Sequence, residues 1–241
     1  MKRVLLFLLL ALLPLFLPEL AVDPFRAEQA CSWLHPLGTD GMGRDAALRL
    51  LIATARSVGF ASAVGLGALA VGLLLSLGRG FWPGVRSALR AVPPLLILLS
   101  LGAFQGAFHW FAMGGLLALL LGLNLEPPLR AKLEPFTQGP AWAMDRVLGA
   151  RWPSRLRLWT PWAVEQVVPF FPSLWLGALW GETTLRLLGL GPGPHIDSLG
   201  LLLNEEWPRL STDGTALGWA SLALVLALTL FTAFQTSEET P

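Results

Sequence analysis

The chain has 241 residues, 54% of them hydrophobic and 14% charged, with a formal net charge of +1. Soluble domains average about 25% charged residues, and a mean hydropathy of +0.60 excludes an ordinary water-soluble globule. No basic-aromatic patch points to nucleic acid, and a single cysteine, Cys31, excludes an internal disulfide and reads as an unpaired loop thiol.

In chain order, Lys2 and Arg3 precede a first apolar run, Val4 to Leu17. No clear small-x-small cleavage site follows, so it reads as an uncleaved first span rather than a signal peptide. A polar block rich in Gly and Pro comes next: His35, Pro36, Leu37, Gly38, Thr39, Asp40, Gly41, Met42, Gly43, Arg44 and Asp45. Leu48, Arg49, Leu50, Leu51, Ala55, Arg56 and Ser57 then lead into the second run. Further runs are Val58–Leu77, Val92–Phe108, Trp110–Leu125, Trp159–Trp180 and Ala216–Phe234. Each is near the ~20 residues that cross the hydrocarbon as a helix. Lipid offers no partner to a free N–H or C=O group, so helix is the required backbone form.

The expected fold is therefore all-α, one polytopic bundle of about six transmembrane helices. Residues 1–22 hold the first span, 23–57 an outer loop with an amphipathic helix, and 58–234 a core of five spans. Within that core, 126–159 is the longest inward loop. The third and fourth runs nearly touch, which requires a tight turn around Gly106 to Met113.

Basic residues set the orientation. Lys2, Arg3, Arg79, Arg86, Arg90, Arg130, Lys132, Arg146, Arg151, Arg155 and Arg157 fall on one side. Arg26, Arg44, Arg49, Arg56, Arg186 and Arg209 fall on the other, with most of the acids. The positive-inside rule places both termini in the cytoplasm and the His35–Asp45 block outside. Trp is frequent (11 residues, with no Tyr), and Trp82, Trp110, Trp152, Trp159, Trp162, Trp207 and Trp219 sit near span ends. An interfacial belt accounts for them.

A second outer motif follows the fifth run. It reads Gly177, Ala178, Leu179, Trp180, Gly181, Glu182, then Leu185, Leu187, Leu188, Gly189, Leu190, Gly191, Pro192, Pro194, and Ser198, Leu199, Gly200. Its glycines suit a turn where a helix ends and the chain reverses. The inward loop carries Ala143, Met144, Asp145, Arg146, Val147, Leu148, Gly149 and Ala150, with Pro161 beyond it.

These three segments together resemble permease subunits of the dipeptide/oligopeptide/nickel class of ATP-binding-cassette importers. That family writes H-P-L-G-T-D-x-x-G-R-D after its first span and G-A-I-L-x-E-x-x-L-S-F-L-G-L-G-x-x-P-P after its fifth. Arg186 stands where the family has Ser, and Leu199 where it has Trp. The family's cytoplasmic E-A-A-x-x-x-G element is degenerate here, with Ala143 and Met144 in place of its acid and first Ala. The family's usual Gly-Asp-x-Leu-Arg-Asp end is missing after the sixth run. The chain is thus identified as a divergent member.

The resemblance implies a membrane-spanning permease subunit in the cell (inner or plasma) membrane, moving peptides or related small solutes by alternating access. Its implied partners are a homologous permease, two ATPase subunits, an extracytoplasmic solute-binding protein and the lipid bilayer. Ala143, Met144, Asp145, Arg146, Gly149 and Ala150 would form the ATPase-coupling loop. His35, Gly38, Asp40, Gly43, Arg44, Asp45, Glu182, Gly189 and Gly191 would carry the outer-loop motifs. The alternative is a permease-like structural or assembly subunit without tight ATPase coupling, motivated by the degenerate loop.

No Walker pattern occurs, so the chain itself is expected to bind no cofactor, and ATP would be used by partner subunits. His35, His109 and His195 lack ligand spacing, so no metal site is expected. Ser62 and Ser100, read as buried, lack a Gly-x-Ser-x-Gly context, so no catalytic residue and no enzyme is expected. Glu165, beside Gln166, is the only acid inside a predicted span. It reads either as a functional intramembrane acid or as an interface residue against Arg155 and Arg157.

Overall fold

The computed structural model describes residues 20, 22–77, 83–105, 109–137, 139, 144, 147–149, 162, 164–191, 196–210 and 216–238. Its helices are α1 (Ala46–Leu77), α2 (Pro83–Ala91), α3 (Pro94–Gln105), α4 (Trp110–Thr137), α5 (Phe171–Leu187), α6 (Leu199–Leu210) and α7 (Ala216–Glu238). Short 3-10 turns occur at Pro24–Arg26 and Val168–Phe170. Among the described residues, extended pairing is confined to one bridge between Thr39 and Asp45. The all-α expectation holds.

The longest element, α1, has 32 residues and is about 48 Å long at roughly 1.5 Å per residue. Asp45 caps it, accepting a hydrogen bond from the Leu48 N–H at 2.8 Å, which satisfies one of the unpaired donors of the first turn. The run Val58–Leu77 is therefore the second part of a longer helix. The expected helix leading into that run is its first part, because nothing between Asp45 and Ser57 breaks the backbone ladder.

Around this axis the bundle closes through small residues. Phe60, Val64, Met113, Leu117, Phe171, Trp175 and Leu179 form the main buried cluster, shared by α1, α4 and α5. On α4, a methyl group at Gly122 would lie 2.7 Å from the Val71 side chain and 2.8 Å from the Ala68 carbonyl. At Gly72 it would lie 2.7 Å from Leu125, and at Gly181 2.9 Å from Leu117. Small residues allow such backbone approach where lipid gives helices no hydrophobic reason to associate. A second cluster joins the start of α1 to α6 and α7 through Ala46, Leu50, Ala53, Leu199, Leu202, Leu217 and Val225.

Among the described residues, two helical stretches, Ala46–Ser76 and Trp110–Pro135, are long and apolar enough to cross a membrane. A third crossing exists if the pair Gly84–Ala91 and Pro94–Phe104, bent by 84°, counts as one. Ala216–Thr232 is apolar but shorter. The first run, 4–17, lies outside the described residues, so the expected six spans are matched only in part. The bend follows from Pro93 and Pro94, which remove two ladder donors and push the preceding residue away from helical angles.

Two expected helix ends and one expected burial differ. The fourth run is expected to end at Leu125, yet α4 continues to Thr137 through all three of its prolines. Burial of Leu129 and Leu133 against Val167 and Leu174 holds that extension in place. The fifth run was ended at Trp180, but α5 reaches Leu187, so Gly177, Gly181 and Glu182 lie within a helix. Ser100, read as buried, is exposed and donates to the Leu96 carbonyl at 2.7 Å.

Replacing Gly122 by Val drives a branched side chain into Val71 and the Ala68 carbonyl. Overpacking of this kind costs about 1–3 kcal/mol. The thermal midpoint of the purified protein in detergent should fall; an unchanged midpoint would show that α1 and α4 are not in this contact.

Candidate functional site

The outer block folds back on the segment before it. The Gln29 N–H donates to Thr39 Oγ1 at 2.8 Å, and the Thr39 N–H donates to the Gln29 carbonyl at 3.1 Å. The Glu28 N–H donates to the Asp40 carbonyl, and the Asp23 N–H to that of Met42. Two glycines make this closure possible. Gly38 (φ 75°) and Gly43 (φ 74°) adopt the left-handed region, which glycine enters without steric cost. A Cβ at Gly43 would sit 1.7 Å from the Asp23 carbonyl oxygen, so no other residue fits there.

Inside the loop, Asp40 is the organising carboxylate. Its Oδ1 accepts from the N–H groups of Met42 and Arg44, each at 2.9 Å. Its Oδ2 accepts from Arg44 Nε at 2.8 Å and from Arg49 Nη1 at 3.1 Å. Arg49, 1% exposed, spreads its guanidinium across three carboxylates. Nη1 meets Asp40, Nε meets Asp197 at 2.9 Å, and Nη2 meets Glu205 at 2.5 Å. Asp197 is also approached by Arg44 at 3.8 Å and Arg56 at 4.0 Å. The first outer block, the first turns of α1, the segment before α6 and α6 itself therefore meet at one arginine.

Below this network lies a second one, built on Glu182. That residue is 0% exposed; its Oε2 accepts from Ser57 Oγ at 3.1 Å, and Arg186, one turn on, lies 3.5 Å from Oε1. Ser57 Oγ in turn accepts from the Leu199 N–H at 3.0 Å. Arg186 donates to the Ile196 carbonyl at 2.7 Å and lies over the Trp110 ring at 5.1 Å. Gly191 and Gly200 let the chain pass this side chain: a methyl on either would lie 2.7–2.8 Å from Arg186. Gly189 (φ 74°) ends α5, with the Leu190 N–H donating to the Leu185 carbonyl and the Gly189 N–H to that of Arg186. This is the Schellman arrangement, so the expected reversal at Gly189 is present.

His35 Nδ1 lies 2.6 Å from Asp45 Oδ2, across the same block. Burial alone would push the Asp45 carboxyl up. The hydrogen bond from His35, the Leu48 N–H and the charge of His35 outweigh it and hold the group below its ordinary range.

Sequence reasoning grouped His35, Gly38, Asp40, Gly43, Arg44, Asp45, Glu182, Gly189 and Gly191, and the structure gathers them at one end of the bundle. It did not single out Asp197 or Glu205, and it marked Arg186 only as a departure from the family's Ser. The signal available was scarcity: in so apolar a chain every buried charge requires a partner, and Glu182 and Arg186 stand at helical i, i+4 spacing. In the inward loop, Gly149 has φ 70° with nothing within 4 Å of its added Cβ, and Met144, Val147 and Leu148 are exposed. Ala143, Asp145, Arg146 and Ala150 lie outside the described residues, as does His195. Glu165 is exposed, and His109 is exposed and stacked on Phe111.

A further cluster lies at the opposite end of α1. Arg86 of α2 donates to Glu126 Oε1 at 2.7 Å, and Arg90 to Oε2 at 3.1 Å. Arg130 comes within 3.4 Å of the same carboxylate and reaches the Leu75 carbonyl. From Arg56 to Leu75, α1 rises about 28 Å, close to the ~30 Å hydrocarbon thickness, and that stretch of sequence has no charged residue. Between the clusters, α1 and α4 border a cavity of about 590 Å³, lined by Arg56, Gly59, Phe60, His109, Trp110 and Ile196 among others.

A helical bundle with an uncharged stretch of α1 between two buried ion-pair clusters has the architecture of a multi-pass membrane protein. Comparison with known proteins gives the family. A protein of Brucella suis biovar 1, provisionally named a peptide permease, is 31% identical over 207 residues, covering 79% of this chain and 67% of the relative. The glutathione transport system permease GsiD of Pectobacterium atrosepticum is 26% identical over 87% of this chain and 72% of its own length. The peptide transport system permease SapC of Escherichia coli is 42% identical over 78 residues, 29% of this chain and 26% of its own. No protein-family model matches. The chain belongs to the permease subunits of the peptide class of ATP-binding-cassette importers. These relatives are transport permeases rather than enzymes.

Removing Arg49 strands buried carboxylates. Arg49→Met should cost about 3–5 kcal/mol, the usual penalty for breaking a buried pair from one side. Arg49→Lys should recover only part of it, since one ammonium cannot reproduce a planar fork. Thermal unfolding of both variants checks this; full rescue by Lys would show that charge alone suffices. A second expectation concerns pH. The Asp45 carboxyl is depressed in the folded state, so its contribution is present above the ordinary carboxylate range and is lost as pH falls below it, through the lowered folded-state value. The stability gap between wild type and Asp45→Asn should narrow on acidification; a constant gap would mean that the carboxylate's charge contributes nothing.

Proposed function

We propose that this permease moves peptides or related small solutes by alternating access, with ATP hydrolysed by partner subunits. It pairs with a homologous permease to enclose the path. Two ATPase subunits dock on the loop around Gly149, and an extracytoplasmic binding protein delivers solute to the end that carries Arg49. Both termini are cytoplasmic, and the protein makes and breaks no covalent bond itself.

The observation that carries this reading is the joint held by Arg49. It locks the first outer block to the segment before α6 at one end of a helix whose other end lies beside the Glu126 cluster. A solute-binding protein engaging these outer segments would thus act on the same rigid helix that an ATPase moves from the opposite side. The left-handed conformation of Gly149, beside a Leu148 N–H that donates to the Met144 carbonyl at 2.9 Å, supports a defined turn in the inward loop.

The test is the assembled importer in proteoliposomes. Proline cannot adopt positive φ, so Gly149→Pro should keep normal permease abundance yet lower solute-stimulated ATP hydrolysis by about tenfold or more. If wild-type permease recruits no ATPase under conditions that hold a related complex together, the assembly-subunit reading replaces this one.

A further inference from the structure

We infer that the arginines around Glu126 form a binding site for the phosphate headgroup of an anionic membrane lipid, with α2 lying in the plane of the membrane surface. Four observations converge.

The first is geometry. α2 is bent 84° from the apolar helix that follows it, so when α3 stands along the membrane normal, entering it by about 18 Å, α2 lies nearly along the surface. The second is the level. Arg130 touches the Leu75 carbonyl near the end of α1, about 28 Å from Arg56, which is where hydrocarbon gives way to headgroups.

The third is the distribution of residues on α2. Arg86 and Arg90, one turn apart, point inward to Glu126. Val85, Leu89 and the adjoining Val92, at helical spacing, are 48%, 41% and 41% exposed. A helix with arginines on one side and an uncovered apolar stripe on another matches the headgroup–acyl boundary. The fourth is charge. Arg86 and Arg90 share the single carboxylate of Glu126, which Arg130 also approaches. Arg86 is 9% exposed, and its Nε has no hydrogen-bond partner among the described residues. A buried guanidinium N–H left over in this way requires an acceptor, and phosphate oxygens accept from arginine in a planar, bidentate manner. Basic pockets between helices at a membrane surface recognise anionic headgroups on this basis. The apolar stripe selects a lipid over a soluble phosphate, because acyl chains alone would cover it.

The permease, purified in its complex, would be titrated with phosphatidylglycerol, phosphatidylcholine or inorganic phosphate, and bound lipid read by native mass spectrometry. Phosphatidylglycerol should bind in preference to phosphatidylcholine. Replacing Arg86 and Arg90 together by Gln should weaken it about thirtyfold, some fivefold for each arginine. Glu126→Gln keeps all three arginines and removes the rival carboxylate, so it should tighten binding; this opposite shift remains readable if the arginine variant fails to fold. The inference is overturned if neither variant changes the affinity, if phosphatidylcholine binds as well, or if inorganic phosphate competes mole for mole. It is also overturned if the arginine variant loses its ATPase subunits while lipid affinity stays constant, since the surface would then be a subunit contact. None of these readouts depends on transport.

Discussion

Charge inside a low-dielectric bundle must be paired, and this fold is arranged around that constraint. An arginine with 1% exposure survives only because three carboxylates surround it. Those carboxylates come from parts of the chain that are 148 and 156 residues beyond Arg49, and from the loop just before it. One side chain thus fixes the register between the two ends of the sequence. The loop glycines, the Asp45 cap and the α5 terminus all serve to deliver acceptors and donors to that point. Ser57 extends the same logic one layer down, taking the Leu199 N–H while giving its own proton to Glu182.

Much of this was legible in the sequence because polar residues are informative where the background is apolar. Gly38, Gly43 and Gly189 were recognisable as turn formers, and all three adopt positive φ. The partition of arginines between two sides also has a physical counterpart: Arg44, Arg49, Arg56 and Arg186 gather at one end, Arg86, Arg90 and Arg130 at the other. What could not be read was pairing across distance. Nothing local to Asp197 or Glu205 distinguishes them from solvated loop acids, since their role depends on where α6 packs.

The misplaced boundaries share one cause. Pro127, Pro128 and Pro135 on α4, and Gly177 and Gly181 on α5, are breakers by local propensity. Tertiary packing overrides them. Leu129 and Leu133 are buried strongly enough to carry α4 past its prolines, and the α5 glycines are there to admit Leu121 and Leu117 rather than to turn the chain. In a membrane bundle a glycine marks close approach about as readily as it marks an end.

The glycine contacts between α1 and α4 also determine how this molecule can deform. At Gly122 the Ala68 carbonyl itself is in contact, and at Gly72 the facing group is the Leu125 side chain, so there is little room to slide. The pair therefore behaves as a single stiff beam, and bending during a transport cycle must be taken up elsewhere. Two places have the geometry for it: the elbow at Pro93, and the 3-10 turn at Val168–Phe170 where α5 begins. Both lie at the end of the bundle that carries the Glu126 cluster, opposite the end joined by Arg49.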